Sequence, residues 1–349
     1  MHSIESTQAT IDFYMYPPVG TDDWRYLAQT AQVRMLEMQM LSGAALLDMA
    51  NAETFDQAAE LLAATEYAIP PAKDRFAELE NVLLLRRDTV RTLFAELMLN
   101  KSIAKLFRTR DDFANLRLAV RRMLAKKPLG TDYSNDGNIP PEQLKDAFEQ
   151  ENYSILPDYM QQAAECAVLA YYQGRDVRQI DYAIDSFQAE YNLKIAEGLN
   201  NIFLLGLFRI QIDLTNIRTM LRLKFTQSQP ELELDKIFLK RGYIAIERLE
   251  HGLEVGYESL GPLFFVTPYC RVVEAGANYL SSNKSFLKLE QQCDEHLTGF
   301  LKSTIQIVTG PQPIIAYLLM KENEIRTVRL VLTAKRNHLD TKLLLDRIS

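Results

Sequence analysis

The sequence LFRTRDDFANLR at residues 106–117 returns as LFRIQIDLTNIR at residues 207–218, an offset of 101 positions. A third copy is shorter, because only the run EIRT at residues 324–327 echoes the IRT of residues 217–219, at a further offset of 108. These periods are domain-sized and too long for solenoid repeats of the tetratricopeptide or armadillo type. The chain is therefore predicted to contain three similar domains of about 110 residues.

The predicted domains span residues 1–128, 129–229 and 230–349. The linkers between them are short, which favours closure of the three copies around a pseudo-threefold axis over a string of separate domains. A body of this kind can grip a partner that itself lies on the axis. It also leaves no need for a homotrimer, so we expect the isolated chain to be monomeric.

Composition predicts an all-α fold. The chain of 349 residues has 14 Gly and 13 Pro, under 8% together against about 12% in an average protein, so turn signals are sparse and segments are long. Apolar residues recur at spacings of three and four, and no alternating run of strand length competes with them.

The apolar pattern also places the helices. It predicts two antiparallel helices over residues 24–68 and one helical block over residues 76–107. The stretch KKPLGTDYSNDGNIPP at residues 126–141 is the best candidate for a loop or domain boundary, and residues 226–230 form a second break. Within residues 255–266 we expect helix ends around a turn near Gly261 and Pro262.

Charge and cysteine content narrow the class of protein. The formal net charge is −7, from 39 basic and 46 acidic residues, and no basic region stands out, so nucleic-acid binding is not expected. Three widely spaced cysteines fit a reducing compartment and no disulfide framework. Neither a signal peptide nor an apolar run of about 20 residues is visible, so any membrane association should be peripheral.

Acidic and arginine positions recur with the repeats. The predicted pairs, separated by 37, 37 and 36 residues, are Glu80 with Arg117, Asp181 with Arg218, and Glu290 with Arg326. This spacing suits two antiparallel helices of one domain, and a second arginine follows in each copy, at Arg121, Arg222 and Arg329. We expect partly buried ion pairs that fix helix register within each domain, a task that suits planar guanidinium groups.

The C-terminal run GPQPIIAYLLMKENEIR at residues 310–326, followed by Arg329, closely resembles the signature of the V-type ATPase central-stalk subunits, called C in prokaryotes and d in eukaryotes. Further resemblance covers most of the chain, in the residues Ser285-Phe286-Leu287 with Leu289-Glu290 and Asp294, Ile180-Asp181 with Asp185 and Phe187, and Tyr26 with Arg34-Met35-Leu36-Glu37. Two features depart from the pattern: Lys321 stands where the first two repeats have Asp112 and Asp213, and residues 126–141 follow no recognisable motif.

The resemblance implies an all-helical funnel of three similar domains on the cytoplasmic face of the membrane. Such a funnel sits on the proteolipid rotor ring and receives the rotating central shaft in its hollow. The expected function is then a non-catalytic spacer that transmits torque for proton or sodium transport, without a cofactor, a metal or a catalytic site of its own.

Two alternatives remain open. All-helical prenyl synthases hold magnesium diphosphate with carboxylates one turn apart, and the candidate groups here are Asp111, Asp112 and Asn115, and Asp181, Asp185 and Glu190. The competing structural interpretation is that Asp111 and Asp112 lie in the first turn of a helix and that Asp181 and Asp185 pair with arginines. A general helical adaptor is the other alternative. The chain has no phosphate-binding G-x-x-x-x-G-K-[ST] motif and no metal-binding histidine spacing.

Overall fold

The structure is a computed structural model that describes residues 15–226 and 234–348. Of the described residues, 73% are helical and none lies in a strand. The all-α prediction is therefore confirmed. No helix in the described ranges is long and apolar enough to cross a membrane.

Sixteen α-helices lie within the described ranges. The first eight are α1 (Leu27–Glu37), α2 (Gly43–Asn51), α3 (Phe55–Glu60), α4 (Arg75–Leu97), α5 (Lys101–Leu124), α6 (Pro141–Glu149), α7 (Asp158–Gly174) and α8 (Arg178–Gly198). The others are α9 (Ile202–Thr226), α10 (Leu234–Ile237), α11 (Ile246–Glu254), α12 (Tyr257–Phe264), α13 (Cys270–Asn283), α14 (Leu287–Lys302), α15 (Pro311–Arg336) and α16 (Thr341–Ile348). The three longest helices are α5, α9 and α15, with 24, 25 and 26 residues, and each contains one copy of the repeated sequence.

The described residues divide into two compact units. The first unit is continuous and spans residues 100–255, whereas the second combines residues 15–99 with residues 256–348. The chain thus enters and leaves the first unit between the two halves of the second. The division into three domains that the repeat indicates stays a prediction.

In the first unit, α5 packs against α6, α7 and α8, and α9 packs against α8 and α11. Small residues on α7 (Ala163, Ala164 and Ala167) are fully buried and allow close helix packing. Phe113 on α5 contacts the rings of Tyr159 and Tyr191, which stack with centroids 4.7 Å apart. The core of this unit therefore joins helix α5 to the helices that follow it in the sequence.

In the second unit, α15 packs against α1, α2, α3, α4 and α14. Its core combines two distant stretches of the chain, because Leu79 and Leu83 on α4 pack in one cluster with Val328 and Leu332 on α15. Proline lies in the first turn of α15, where a helix needs no backbone donor, so the GPQP run starts this helix without losing a hydrogen bond.

Three of the predicted helix boundaries are wrong. Residues 24–68 form a 3-10 turn and three α-helices, because Ser42 and Thr54 each accept a hydrogen bond from a backbone N–H in the first turn of the next helix. The block 76–107 breaks at Met98, and Asn100 caps the start of α5 in the same way. There is no turn near Gly261 and Pro262, because both residues lie within α12. The helical structure is interrupted instead at residues 255–256, between α11 and α12.

The loop predicted at residues 126–141 is confirmed, since no helix lies between the end of α5 and the start of α6. The second break is predicted at residues 226–230. Residue 226 is the last residue of α9, and residues 227–230 lie outside the described residues. The first loop lies within the continuous unit, where its backbone is held by side chains of α5.

Candidate functional site

Two buried polar side chains on α5 hold the loop that follows this helix. Asp112, only 1% exposed, accepts hydrogen bonds from the backbone N–H groups of Asn138 (2.8 Å) and Ile139 (3.0 Å). Three residues further along, the Asn115 side chain donates to the backbone carbonyl of Ser134 and accepts from its N–H, both at 2.8 Å. We call this arrangement the first clamp. It satisfies backbone groups of a loop that has no helical partners of its own.

The electrostatics of the first clamp follow from burial. Burial raises the pKa of the Asp112 carboxyl, and the hydrogen bonds from Asn138, Ile139 and Tyr159 lower it in part. The Tyr159 hydroxyl donates to Asp112 at 3.0 Å, and burial together with the nearby carboxylate raises the pKa of this tyrosine. Asp112 thus accepts hydrogen bonds from the backbone and the side chain of Asn138, from the backbone of Ile139 and from the Tyr159 hydroxyl.

The second clamp, on α9, repeats the first. Asp213 is fully buried and accepts from the backbone N–H groups of Tyr243 (3.0 Å) and Ile244 (3.1 Å). Asn216, again three residues later, exchanges two hydrogen bonds of 2.8 Å with the backbone of Leu239. The two clamps therefore share their residue types, their spacing and the kinds of backbone group that they bind.

A glycine permits each loop to approach its carboxylate. A Cβ atom added to Gly137 would collide with the Asp112 carboxylate, and one added to Gly242 would collide with that of Asp213. Neither glycine adopts a positive φ, so the constraint is one of space and not of backbone conformation.

The third repeat has a charged version of the same arrangement, which we call the third clamp. Glu324 on α15 accepts from the backbone N–H of Leu41 and from the hydroxyl of Tyr67, both at 2.6 Å. Lys321, also 1% exposed, donates to the carboxylates of Glu324 and Glu66, and its ammonium lies 5.1 Å from the centroid of the Tyr67 ring. Burial and Glu324 together raise the pKa of Tyr67. Lys321, which departs from the Asp112 and Asp213 pattern, thus neutralises Glu324, the acid at the repeat position of Asn115 and Asn216.

Of the six residues predicted to form ion pairs, Arg117 and Asp181 contact each other directly. Arg117 on α5 donates to Asp185, its Nε lies 3.5 Å from an Asp181 oxygen, and Arg121 donates to the other Asp181 oxygen. In the second unit, Glu80 on α4 contacts Arg329 on α15 at 2.9 Å. These contacts join different predicted repeats.

The reason for this pairing lies in the packing, because α5 packs on the helices that follow it and α15 packs on α4. The remaining members of the set are Arg218, half-buried on α9, Glu290, half-buried on α14, and Arg326, exposed on α15. That the six residues together fix helix register stays a prediction.

The carboxylates considered for magnesium have other contacts. Asp111 and Asp112 lie in the middle of α5 and not in a first turn, because Asn100 starts that helix eleven residues before Asp111. Asp111 accepts from the Ser134 hydroxyl, and Glu190 pairs with Arg241 at 2.7 Å. Across residues 15–226 and 234–348, no group of three or more His, Cys, Asp or Glu side chains is placed to hold a metal ion.

The clamps were not anticipated from the sequence, although their signal is visible in it. The pattern D-x-x-N occurs at residues 112–115 and 213–216, inside the two copies of the repeat. An acid and an amide three residues apart lie on the same helical face, where both side chains can bind the backbone of one loop. What hid the signal is that an aspartate on a helix is usually exposed.

Comparison with known proteins agrees with the family resemblance. A sequence model of the family described as ATP synthase (C/AC39) subunit matches residues 29–347. The C subunit of the V-type sodium ATPase of Enterococcus hirae is 26% identical over 322 residues, which cover 90% of this chain and 95% of that protein.

Proposed function

The chain belongs to the C/AC39 family of ATP synthase subunits, and from this premise we propose that it is a non-catalytic central-stalk subunit of a rotary V-type ATPase. In this role it links the rotating shaft of the soluble head to the proteolipid ring in the membrane, on the cytoplasmic face, and transmits torque between them. The observation that carries the proposal is the family match, which spans residues 29–347.

The internal contacts support a role as a rigid spacer. Helices α5, α9 and α15 would each extend about 36–39 Å at 1.5 Å per residue. Each holds a distant part of the chain through a buried clamp, and α5 and α15 also form ion pairs with neighbouring helices. Buried polar networks of this kind resist sliding of one helix along another, because a shift would leave donors and acceptors unpaired. A subunit that transmits torque needs this resistance.

The experiment is removal of the chain from the assembled, membrane-reconstituted ATPase, followed by addition of the purified chain. We expect hydrolysis by the head to continue without ion transport when the chain is absent, and coupled transport to return when the chain is added. The purified chain alone should hydrolyse no ATP, since it has no phosphate-binding motif. Coupled transport by a complex shown to lack the chain would refute the proposal.

A further inference from the structure

The second unit has an outer helix that is apolar on both of its faces. Tyr26 and Val33 are buried on the inner face of the 3-10 turn at residues 24–26 and of α1. The opposite face carries six apolar residues that we call the α1 stripe: Trp24, Leu27, Ala28, Ala31, Met35 and Met38. At about 100° per residue they fall within an arc of about 100°. An apolar stripe of this width on a helix normally packs against another element.

The α1 stripe is highly exposed, and further exposed apolar residues lie on the loop before α15. The large residues Trp24, Leu27, Met35 and Met38 are 55–86% exposed. Arg34, at the edge of the stripe, donates to the backbone carbonyls of Thr304 and Ile307, and it thereby holds the loop before α15 against α1. On that loop, the large residues Ile305 and Val308 are 71% and 64% exposed.

The size of this apolar surface is that of an interface. Six large side chains, each more than half exposed, present an area on the order of the ~800 Å² that each partner buries in a standard protein–protein contact. The largest apolar patch of a typical monomer is ~300–600 Å². The six exposed side chains together are therefore large enough for a standard protein–protein contact.

The charges around the stripe indicate the chemistry of its partner. Arg25 pairs with Asp23 at 2.7 Å, Arg34 pairs with Glu37 at 2.7 Å, and no lysine occurs between residues 15 and 72. A helix that lies on a membrane surface normally offers unpaired basic residues to anionic lipids. Because Arg25 and Arg34 are already compensated, the face formed by α1 suits an uncharged protein surface.

The spacing of the α1 stripe residues indicates that the partner surface is a helix. Trp24, Ala28, Ala31, Met35 and Met38 follow one another at intervals of four, three, four and three residues, the spacing with which two helices pack side by side. Methionine side chains adapt to irregular partner surfaces.

We propose that the α1 stripe, with Ile305 and Val308, binds an α-helix of another subunit of the same ATPase complex. The partner helix presents apolar residues at alternating spacings of three and four, and it has no excess of charge beside them. The identity of the complex rests on the proposed function, whereas the form of the partner follows from the stripe itself.

The test uses the full-length chain and the ATPase complex from which the chain has been removed. The variant Met35→Glu/Met38→Glu places two charges in the stripe, and the matched control Leu339→Glu/Leu343→Glu places two charges at other exposed apolar positions of the same unit. We expect the stripe variant to bind the depleted complex at least tenfold more weakly than the wild type, and the control to stay within threefold. Thermal melting should show that both variants fold, since all four side chains are exposed.

A second measurement identifies the partner. A photoreactive benzoylphenylalanine in place of Trp24 should form crosslinks, located by mass spectrometry, to a helix of another subunit with the stated spacing. Crosslinks to lipid or to a second copy of the chain would overturn the proposal, as would equal binding by the stripe variant and the wild type, or equal loss in the stripe variant and the control. Failure of the wild-type chain to bind the depleted complex at all would instead overturn the proposed function.

Discussion

Arg117 on α5 contacts two carboxylates of α8 in the first unit. Its guanidinium lies between the carboxylates of Asp181 and Asp185, and the side chains of the three residues are 24–38% exposed. Burial raises the pKa of Asp185, and the charge of Arg117 lowers it in part. In exposure, the Arg117–Asp185 ion pair lies between two limits. An exposed ion pair contributes about 0–1 kcal/mol to folding stability, whereas breaking a buried one costs about 3–5 kcal/mol.

We predict that Arg117→Ala lowers the free energy of unfolding by about 1–2 kcal/mol. Arg326→Ala, at an exposed position of the same predicted set, should change it by less than about 0.5 kcal/mol. Urea unfolding of Arg117→Ala, Asp185→Ala and the double variant measures the coupling between the two residues. Additive effects would mean that the contact contributes nothing to stability.

His296 provides a residue-scale prediction for pH. Its ring packs against Tyr16 and Tyr269, with centroids 5.1 and 4.8 Å away, and burial lowers its pKa to about 4. The unfolded chain takes up a proton near pH 6.5, whereas the folded state does so only near pH 4, so His296 should destabilise the fold as the pH falls through this window.

The loss between pH 6.5 and pH 4 is at most about 3 kcal/mol, and less to the extent that solvent reaches the partly exposed ring. We expect His296→Gln to flatten the pH dependence of the urea midpoint in this range. His251→Gln, which makes the same substitution at an exposed histidine on α11, is the matched comparison. A His296→Gln curve parallel to the wild type would show that the imidazole stays hydrated in the fold.

At the scale of elements, the clamps explain how helices and loops of this chain are joined. The first and second clamps use the same acid and amide pair, and each needs a glycine where the loop crosses the carboxylate. The third uses a glutamate with a buried lysine to hold Leu41, which is 283 residues away from Glu324 in the sequence. The repeat therefore encodes a helix with a loop-binding side chain, and the loop can come from before or after that helix.

We predict that Gly137→Ala and Gly242→Ala each destabilise the protein by about 1–3 kcal/mol, because the new methyl group displaces the loop from its hydrogen bonds to Asp112 or Asp213. Gly43→Ala and Gly198→Ala are the controls, since a Cβ meets no atom within 4 Å at either helical position. These two should stabilise the protein by about 0.4–1 kcal/mol. Thermal unfolding distinguishes the two signs, and a Gly137→Ala protein as stable as the wild type would contradict the role of close approach.

At the scale of the whole molecule, the two units differ in how the chain is divided between them, and this difference affects their stability. The second unit brings together residues 15–99 and 256–348, which are connected only through residues 100–255. If the first unit unfolds, this connection becomes a flexible loop of about 150 residues, whose closure costs about 4 kcal/mol plus a constant. The second unit therefore depends on the first more than the first depends on the second.

We predict an asymmetry between two core variants. Ile184→Ala in the first unit and Leu332→Ala in the second each remove a fully buried side chain and should each cost about 2–5 kcal/mol locally. Hydrogen exchange should show that Ile184→Ala lowers protection in α8 and also in α15, whereas Leu332→Ala lowers protection in α15 and leaves α8 unchanged. Loss of protection confined to α8 in Ile184→Ala would contradict the dependence.

The sequence by itself determined the helical class, the loop at residues 126–141 and the family, because apolar periodicity, glycine and proline content and short motifs are local properties. Boundaries such as Asn100 were missed where a single capping side chain interrupts a continuous apolar pattern. Only the tertiary structure decided that Arg117 pairs with Asp181 and Asp185 and that Glu324 holds Leu41. The physical reason is that equal spacings allow several pairings between repeats, and the choice among them depends on which helix faces pack together.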